Sequence, residues 1–156
     1  MNSAEKLKIT GKLNILVKDS SGLVKTDTTV DNLVVTEGLT FIASRMAGVA
    51  KDVMSHIQVG SGTDAAAAGD SETKFSTVGL TGSTREVLVS TTPGLTNIVY
   101  VATFAPGEAT GPITEAGVVN AATNPCDLLC RTVFAVINKG ADDTMTITWT
   151  ITLAAV

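Results

Sequence analysis

From Met145 to Leu153 the chain alternates without a break. Met145, Ile147, Trp149, Ile151 and Leu153 are large and apolar, and every residue between them is threonine. A side-chain period of two belongs to a strand with one buried face, and no helix accommodates it. At ~3.3 Å per residue the stretch reaches roughly 30 Å, the height of a whole small sheet, so it is expected to cross the full core. A second run precedes it, in which Leu129, Arg131, Val133, Ala135 and Ile137 alternate with Leu128, Cys130, Thr132, Phe134 and Val136. Asn138-Lys-Gly-Ala-Asp-Asp143 between the runs has the Gly and Asp chemistry of a hairpin loop, so the C-terminal quarter reads as one long antiparallel hairpin.

The N-terminal part has the same character. Leu7, Ile9, Leu13, Ile15 and Val17 alternate with polar or small residues, and Asp19-Ser-Ser-Gly22 supplies a turn before Leu23-Val24. Residues 1–31 therefore read as a β-hairpin or arm. It packs either on its own core or, through those five apolar residues, against the sheet edge of a neighbouring subunit. From Thr36 the spacing changes to that of a helix, with Leu39, Ile42, Ala43, Met46, Ala47 and Ala50 on one face, Thr36 as cap and Gly48 near the end. One amphipathic helix is expected over about 37–50. Beyond it, Ser55–Val59, Thr84–Ser90 and Asn97–Phe104 read as strands, the last two joined by the turn Thr91-Thr-Pro-Gly94. Ile98, Tyr100, Ala102 and Phe104 share a face. Residues 64–73 lack alternation and read as a surface loop, and Pro106 to Gly117 as a tight excursion returning as a strand at Val118. The expected fold is mainly β: an antiparallel sandwich or jelly-roll-like domain with one helix, residues 32–156 forming the domain that the N-terminal hairpin joins.

At 156 residues one domain is the natural size. Charged residues make up only 17%, and the mean hydropathy is +0.32, so a monomer is short of polar side chains with which to cover itself; burial against other subunits is expected. A net charge of −4 with scattered lysines and arginines offers no field for nucleic acid. No run of ~18 apolar residues is present to span a bilayer, and Met1 to Lys6 does not resemble a signal peptide, so synthesis in the cytoplasm is expected.

Few residues invite catalysis. His56 is the one histidine, and its place in a short strand suggests a structural or surface role. Glu115, paired in principle with Glu108, is better placed to bind backbone N–H groups than to move protons. Asp142 and Asp143 fall short of the six oxygen ligands calcium needs and read as an exposed loop tip. Cys126 and Cys130, with a single histidine, cannot complete a zinc site and are expected to be ordinary thiols. Gly60-Ser-Gly62 lacks the rest of a phosphate loop. The aromatic residues fall within alternating strands, where core packing explains them better than sugar binding. The chain is expected to be no enzyme and to hold no cofactor or metal.

Several stretches together resemble a family of small structural proteins of tailed bacteriophages. They are Asn32-Leu-Val-Val-Thr-Glu-Gly-Leu39 leading into the helix, Ile57-Gln-Val-Gly-Ser-Gly-Thr63 before an alanine-rich loop, and Gly107-Glu-Ala-Thr-Gly-Pro-Ile-Thr-Glu-Ala-Gly-Val-Val-Asn120. Arg131-Thr-Val-Phe134, Ile137-Asn-Lys-Gly140 and Asp143-Thr-Met-Thr-Ile-Thr-Trp-Thr-Ile151 complete the likeness, which covers Asn32 to the C-terminus. Such modules resemble both separate virion proteins and parts of tail fibres or baseplates. The resemblance implies a virion part; a short, acidic, apolar β domain without coiled-coil heptads suits the outside of a shell, so a capsid decoration, or cement, protein is expected. Its partners would be the major capsid protein or other virion proteins and its own copies as a homo-dimer or homo-trimer, with neither nucleic acid nor membrane. The alternatives are a tail, neck or baseplate component and a glycan-binding module for host attachment.

Overall fold

The computed structural model describes residues 6–156. Among them are eight strands: β1 (Leu7–Lys18), β2 (Val24–Val34), β3 (His56–Gly60), β4 (Arg85–Pro93), β5 (Asn97–Phe104), β6 (Gly111–Val119), β7 (Leu128–Lys139) and β8 (Thr144–Ala155). One α-helix, α1 (Thr36–Met46), lies between β2 and β3. The threonine-alternating stretch is β8, and its apolar side chains point inward as the period demands; Met145, Ile147 and Trp149 expose nothing. Leu13, Ile15 and Val17 of β1, Ala102 and Phe104 of β5 and Ile57 and Val59 of β3 meet them in one core.

The strands close on themselves in the order β1-β2-β7-β6-β3-β4-β5-β8, every neighbouring pair antiparallel. This is an eight-stranded barrel, which corrects the expectation of a sandwich or jelly roll. The closure depends on two strands that change partner along their length. β2 pairs with β1 up to Asn32 and then with β7 through Leu33 and Val34. β4 pairs with β3 through Arg85 to Val87 and, across a bulge, with β5 from Leu88 to Pro93. Two sheets, A (β2-β1-β8-β5-β4) and B (β2-β7-β6-β3-β4), are thereby fused at both corners into one closed ring, with the rest of β2 and β4 bonded on one side only. Alternation within a strand is the same in either architecture, so it does not reveal a strand that serves two sheets.

The C-terminal hairpin is also corrected. β7 and β8 are consecutive but not adjacent, because Gly140–Asp143 carries the chain across the barrel end from one sheet to the other. β8 instead pairs with β1 from Leu7↔Ala155 to Lys18↔Thr144, and on its other side with β5. The β1–β2 hairpin is thus part of the barrel wall, with Leu13, Ile15 and Val17 fully buried in the chain's own core. Residues 1–5 of the expected arm lie outside the described residues. β6 begins at Gly111, earlier than the return expected at Val118. β7 gains two residues against β6 between Val133 and Ile137, and this bulge turns the inward face from Cys130 and Phe134 to Ile137 and Lys139, leaving Ala135 and Val136 exposed.

The helix is shorter than expected and rotated: Ile42 packs against the core as expected, but its neighbours on that face do not. Gly38 and Phe41 are its buried residues, whereas Leu39 and Met46, expected inward, are 47% and 84% exposed. Gly38 decides this: a Cβ there would lie 2.1 Å from the carbonyl oxygen of Leu129, so only glycine lets the first turn approach the β7 backbone so closely. Val35, with no side-chain cap bond, takes the N-cap position assigned to Thr36, whose N–H donates to the Ala68 carbonyl.

Candidate docking surfaces

The two sheets differ in what covers them. On the outside of sheet B, residues 61–84 form a strap across β6 and β7. Arg131 of β7 and Glu115 of β6 hold it, both fully buried. The guanidinium donates to Glu115 Oε2 from Nε (3.0 Å) and Nη2 (2.6 Å), to Asp70 Oδ2 from Nη1 (2.8 Å) and to the Asp64 carbonyl from Nη2 (3.1 Å). The other Glu115 oxygen accepts the N–H groups of Gly62 (2.7 Å) and Ser76 (2.9 Å). The ring of Phe75 lies under the guanidinium, 5.8 Å from its carbon. Val35, Val119 and Leu128 form a second apolar cluster beneath the strap with Phe75 and Cys126. Glu115 therefore binds backbone N–H groups as expected, but from within a strand and with an arginine as its main partner. An ion pair of this kind, buried and fully hydrogen-bonded, fixes a loop. Its trace in the sequence is two opposite charges, each set in an apolar run: Glu115 within Ile113 to Val119 and Arg131 within Leu128 to Val133.

Among the described residues, sheet A carries no such cover. Thr146, Thr148 and Thr150 point outward from β8, flanked by Leu16, Asn14 and Lys12 of β1 and by Thr103, Val101 and Val99 of β5. Ser90 and Thr92 of β4 continue the face on one side, and Asp27, Thr29 and Asp31 of β2 on the other. The centre is β-branched and uncharged, and its threonines stay half-exposed. Charge is confined to the β1–β2 margin.

A second apolar surface surrounds α1 at one end of the barrel. Two grooves flank the helix. One, of about 650 Å³, runs beside Leu7, Ile9, Leu33, Val34 and Leu39, where β2 leaves β1 and, among the described residues, Leu7–Thr10 is paired only on its β8 side. The other, of about 620 Å³, lies between α1 and the β4–β5 hairpin and is lined by Phe41, Ile42, Met46, Ile98, Tyr100 and Leu153 among others. Of the five β1 residues singled out for subunit contact, only Leu7 (64% exposed) and the half-buried Ile9 line a surface.

The remaining candidates are dispersed. The His56 imidazole accepts or donates one bond to the Ser55 hydroxyl (2.8 Å), and burial holds its pKa below the usual histidine value. No carboxylate is hydrogen-bonded to the ring among the described residues. Glu108 caps a turn by accepting the Ala105 N–H (2.7 Å), apart from Glu115. Asp142 is exposed as expected, but Asp143 is 4% exposed, accepts the Lys25 ammonium and the Gly140 N–H, and is held below the usual carboxylate range chiefly by Lys25. Lys139, 2% exposed, donates to the Ala105 carbonyl (3.0 Å). Cys130 faces the core and Cys126 is half-buried; both are free thiols. Glu37, Asp52, Glu72 and Asp127 border a shallow depression, yet no group of three or more such side chains among the described residues is arranged to hold a metal ion. No described helix is long and apolar enough to cross a membrane. Comparison with known protein families, with curated proteins and with solved structures finds no match.

Proposed function

We propose that this chain is a non-enzymatic structural protein of a tailed-bacteriophage virion, a capsid decoration protein that seats the outer face of sheet A on the assembled shell. The observation that carries this reading is the asymmetry of the barrel. One sheet is roofed by its own strap, and the other presents a five-strand wall of the barrel whose centre is Thr/Val. At ~4.8 Å between strands, that face measures about 24 Å around the curved wall and ~30 Å along it, of the order of the ~800 Å² per partner of a standard interface. A β-branched face without central charge loses little on being dried, and its stiff side chains have little rotamer entropy to lose. The resemblance of residues 32 to 156 to phage structural proteins supplies the class of partner.

Stabilisation follows from mass action. A protein that binds the assembled lattice and not its free subunits lowers the free energy of the lattice by about 2.7 kcal/mol per site at a hundredfold excess over Kd. The test is to add the purified protein to undecorated, expanded shells and count bound copies by gel densitometry, with thermal release of packaged DNA as the functional readout. Hundreds of copies and a higher release temperature are expected for the wild type, and neither for Val101→Lys/Thr148→Lys. Recovery of a dozen or fewer copies at one vertex or the tail tip would overturn the reading in favour of a tail or baseplate component, as would binding indifferent to that double substitution.

A further inference from the structure

At the helix end, the chain carries both halves of a junction. The tip of the β4–β5 hairpin, Pro93-Gly-Leu-Thr96, is closed by a hydrogen bond from the Gly94 N–H to the Asn97 carbonyl (2.8 Å) and holds Leu95 wholly in solvent, at 105% exposure. Beside it opens the 620 Å³ apolar groove, for which Thr91 and Pro93 of the same hairpin form one wall and Met46 and Val53, 84% and 60% exposed, stand on the opposite side. Among the described residues Arg45 is the one charged residue lining that groove, and its Nη1 is committed to the Lys51 carbonyl (2.7 Å). A leucine on a rigid Pro–Gly turn has already surrendered the backbone freedom that docking would otherwise remove, and an apolar cleft of this volume lies within the ~300–1,000 Å³ range of pockets that enclose ligands.

We propose that the occupant is a second copy of this chain, and that two copies exchange hairpin tips across a two-fold axis, each Leu95 entering the groove beside the other's α1. Knob and groove share a wall, so an operation that seats one tip also seats its mate, which is the self-complementarity an isologous dimer requires. Pro93 also speaks against simple edge-to-edge pairing of β4, because a proline on a free edge blunts strand addition. An eight-stranded barrel with its side chains is about 26 Å across, giving an end roughly 500 Å² in projection; interdigitated tips increase that toward the ~800 Å² per partner of a specific dimer. The second groove, at Leu7 and Leu39, prolongs the apolar strip across α1. The outer face of sheet A stays free in this dimer, and the proposal does not depend on the virion reading.

Sedimentation velocity of the full chain tests it. The wild type is expected to dimerise with a Kd at or below about 10 μM. Leu95→Asp and Met46→Asp are each expected to weaken this at least tenfold, while Leu23→Asp, in the β1–β2 turn, leaves it unchanged. Trp149 fluorescence reports whether each variant is folded. Mixing the two weakened variants is the decisive arm: a mixed pair keeps one intact tip-and-groove junction, so association partly returns. A wild type that stays monomeric at 100 μM, a Leu95→Asp protein that dimerises normally, or a mixture no better than its components would overturn the proposal. A monomer whose groove instead binds an apolar dye would do so in favour of a small-molecule occupant.

Discussion

Replacing Arg131 by methionine keeps most of the side chain's bulk and removes its charge and five donors. In the native barrel that guanidinium makes three bonds to the Glu115 and Asp70 carboxylates and one to a carbonyl, with no exposed surface of its own. The substitution strands two carboxylates, one 0% and the other 8% exposed, in a medium where neither can be hydrated. Breaking a buried pair from one side costs about 3–5 kcal/mol, a large part of the ~5–15 kcal/mol available to a domain. For a chain of this size the corresponding fall in Tm is roughly 6–20 °C. Urea unfolding with linear extrapolation measures it, with an unchanged m-value as the check that native compactness is retained. Adding Glu115→Gln removes one of the two stranded charges and keeps an oxygen for the Gly62 and Ser76 amides, so the double variant should be more stable than the sum of the single effects by at least ~1 kcal/mol. Hydrogen exchange at those two amides should quicken in Arg131→Met before the barrel strands do. A cost under ~1 kcal/mol, or strict additivity in the cycle, would refute the view that this pair fastens the strap.

Three further outcomes are expected. Gly11→Ala places a Cβ 1.6 Å from Asn32 Oδ1, the acceptor for the Trp149 Nε1–H (2.9 Å); stability should fall by about 1–3 kcal/mol and the emission of this single tryptophan should shift on loss of its partner. Cys126 should react with a thiol reagent in the folded protein while Cys130 does not, since burial pushes the Cys130 thiol far up and leaves no access, and counting modified thiols with and without denaturant checks this. Tyr100, the only tyrosine, is pushed up to about 12 by burial. Below the unfolded value near 10 both states hold the proton. Above it the unfolded chain loses its proton first, so stability should decline between about pH 10 and 12, with the tyrosinate absorbance appearing only as the protein unfolds.

How much of this architecture can be read in advance depends on the range of the interaction. The β1–β2 and β4–β5 hairpins are written locally, in alternating runs joined by Asp19-Ser-Ser-Gly22 and Pro93-Gly94, and the structure has both. The inward row of β8 is legible for the same reason. The partners of β8 are not, because alternation states which face is buried and nothing about which strand lies alongside. The helix face was hidden by a packing constraint: a periodicity count favours Leu39 and Met46, whereas the close approach that Gly38 permits turns Phe41 inward. Arg131 and Glu115 are 16 positions apart and meet only once β6 and β7 pair, and the strap they hold adds Asp70 from 61 positions away. The outward row of threonines on β8 is legible together with its inward row, but the roof over sheet B has no counterpart in residues 64–73, which read as loop and little more.

The crossing at Gly140–Asp143 has a consequence for how the molecule assembles itself. β8 is the keystone of two seams at once, with β1 and with β5, and its first seam joins Leu7 to Ala155, almost the full length of the chain apart. Such a closure carries its entropic penalty before it returns any contact, so the last step in forming this barrel should be slow and all-or-none. Until it happens, β1 and β5 each present a naked hydrogen-bonding rim to whatever strand arrives first.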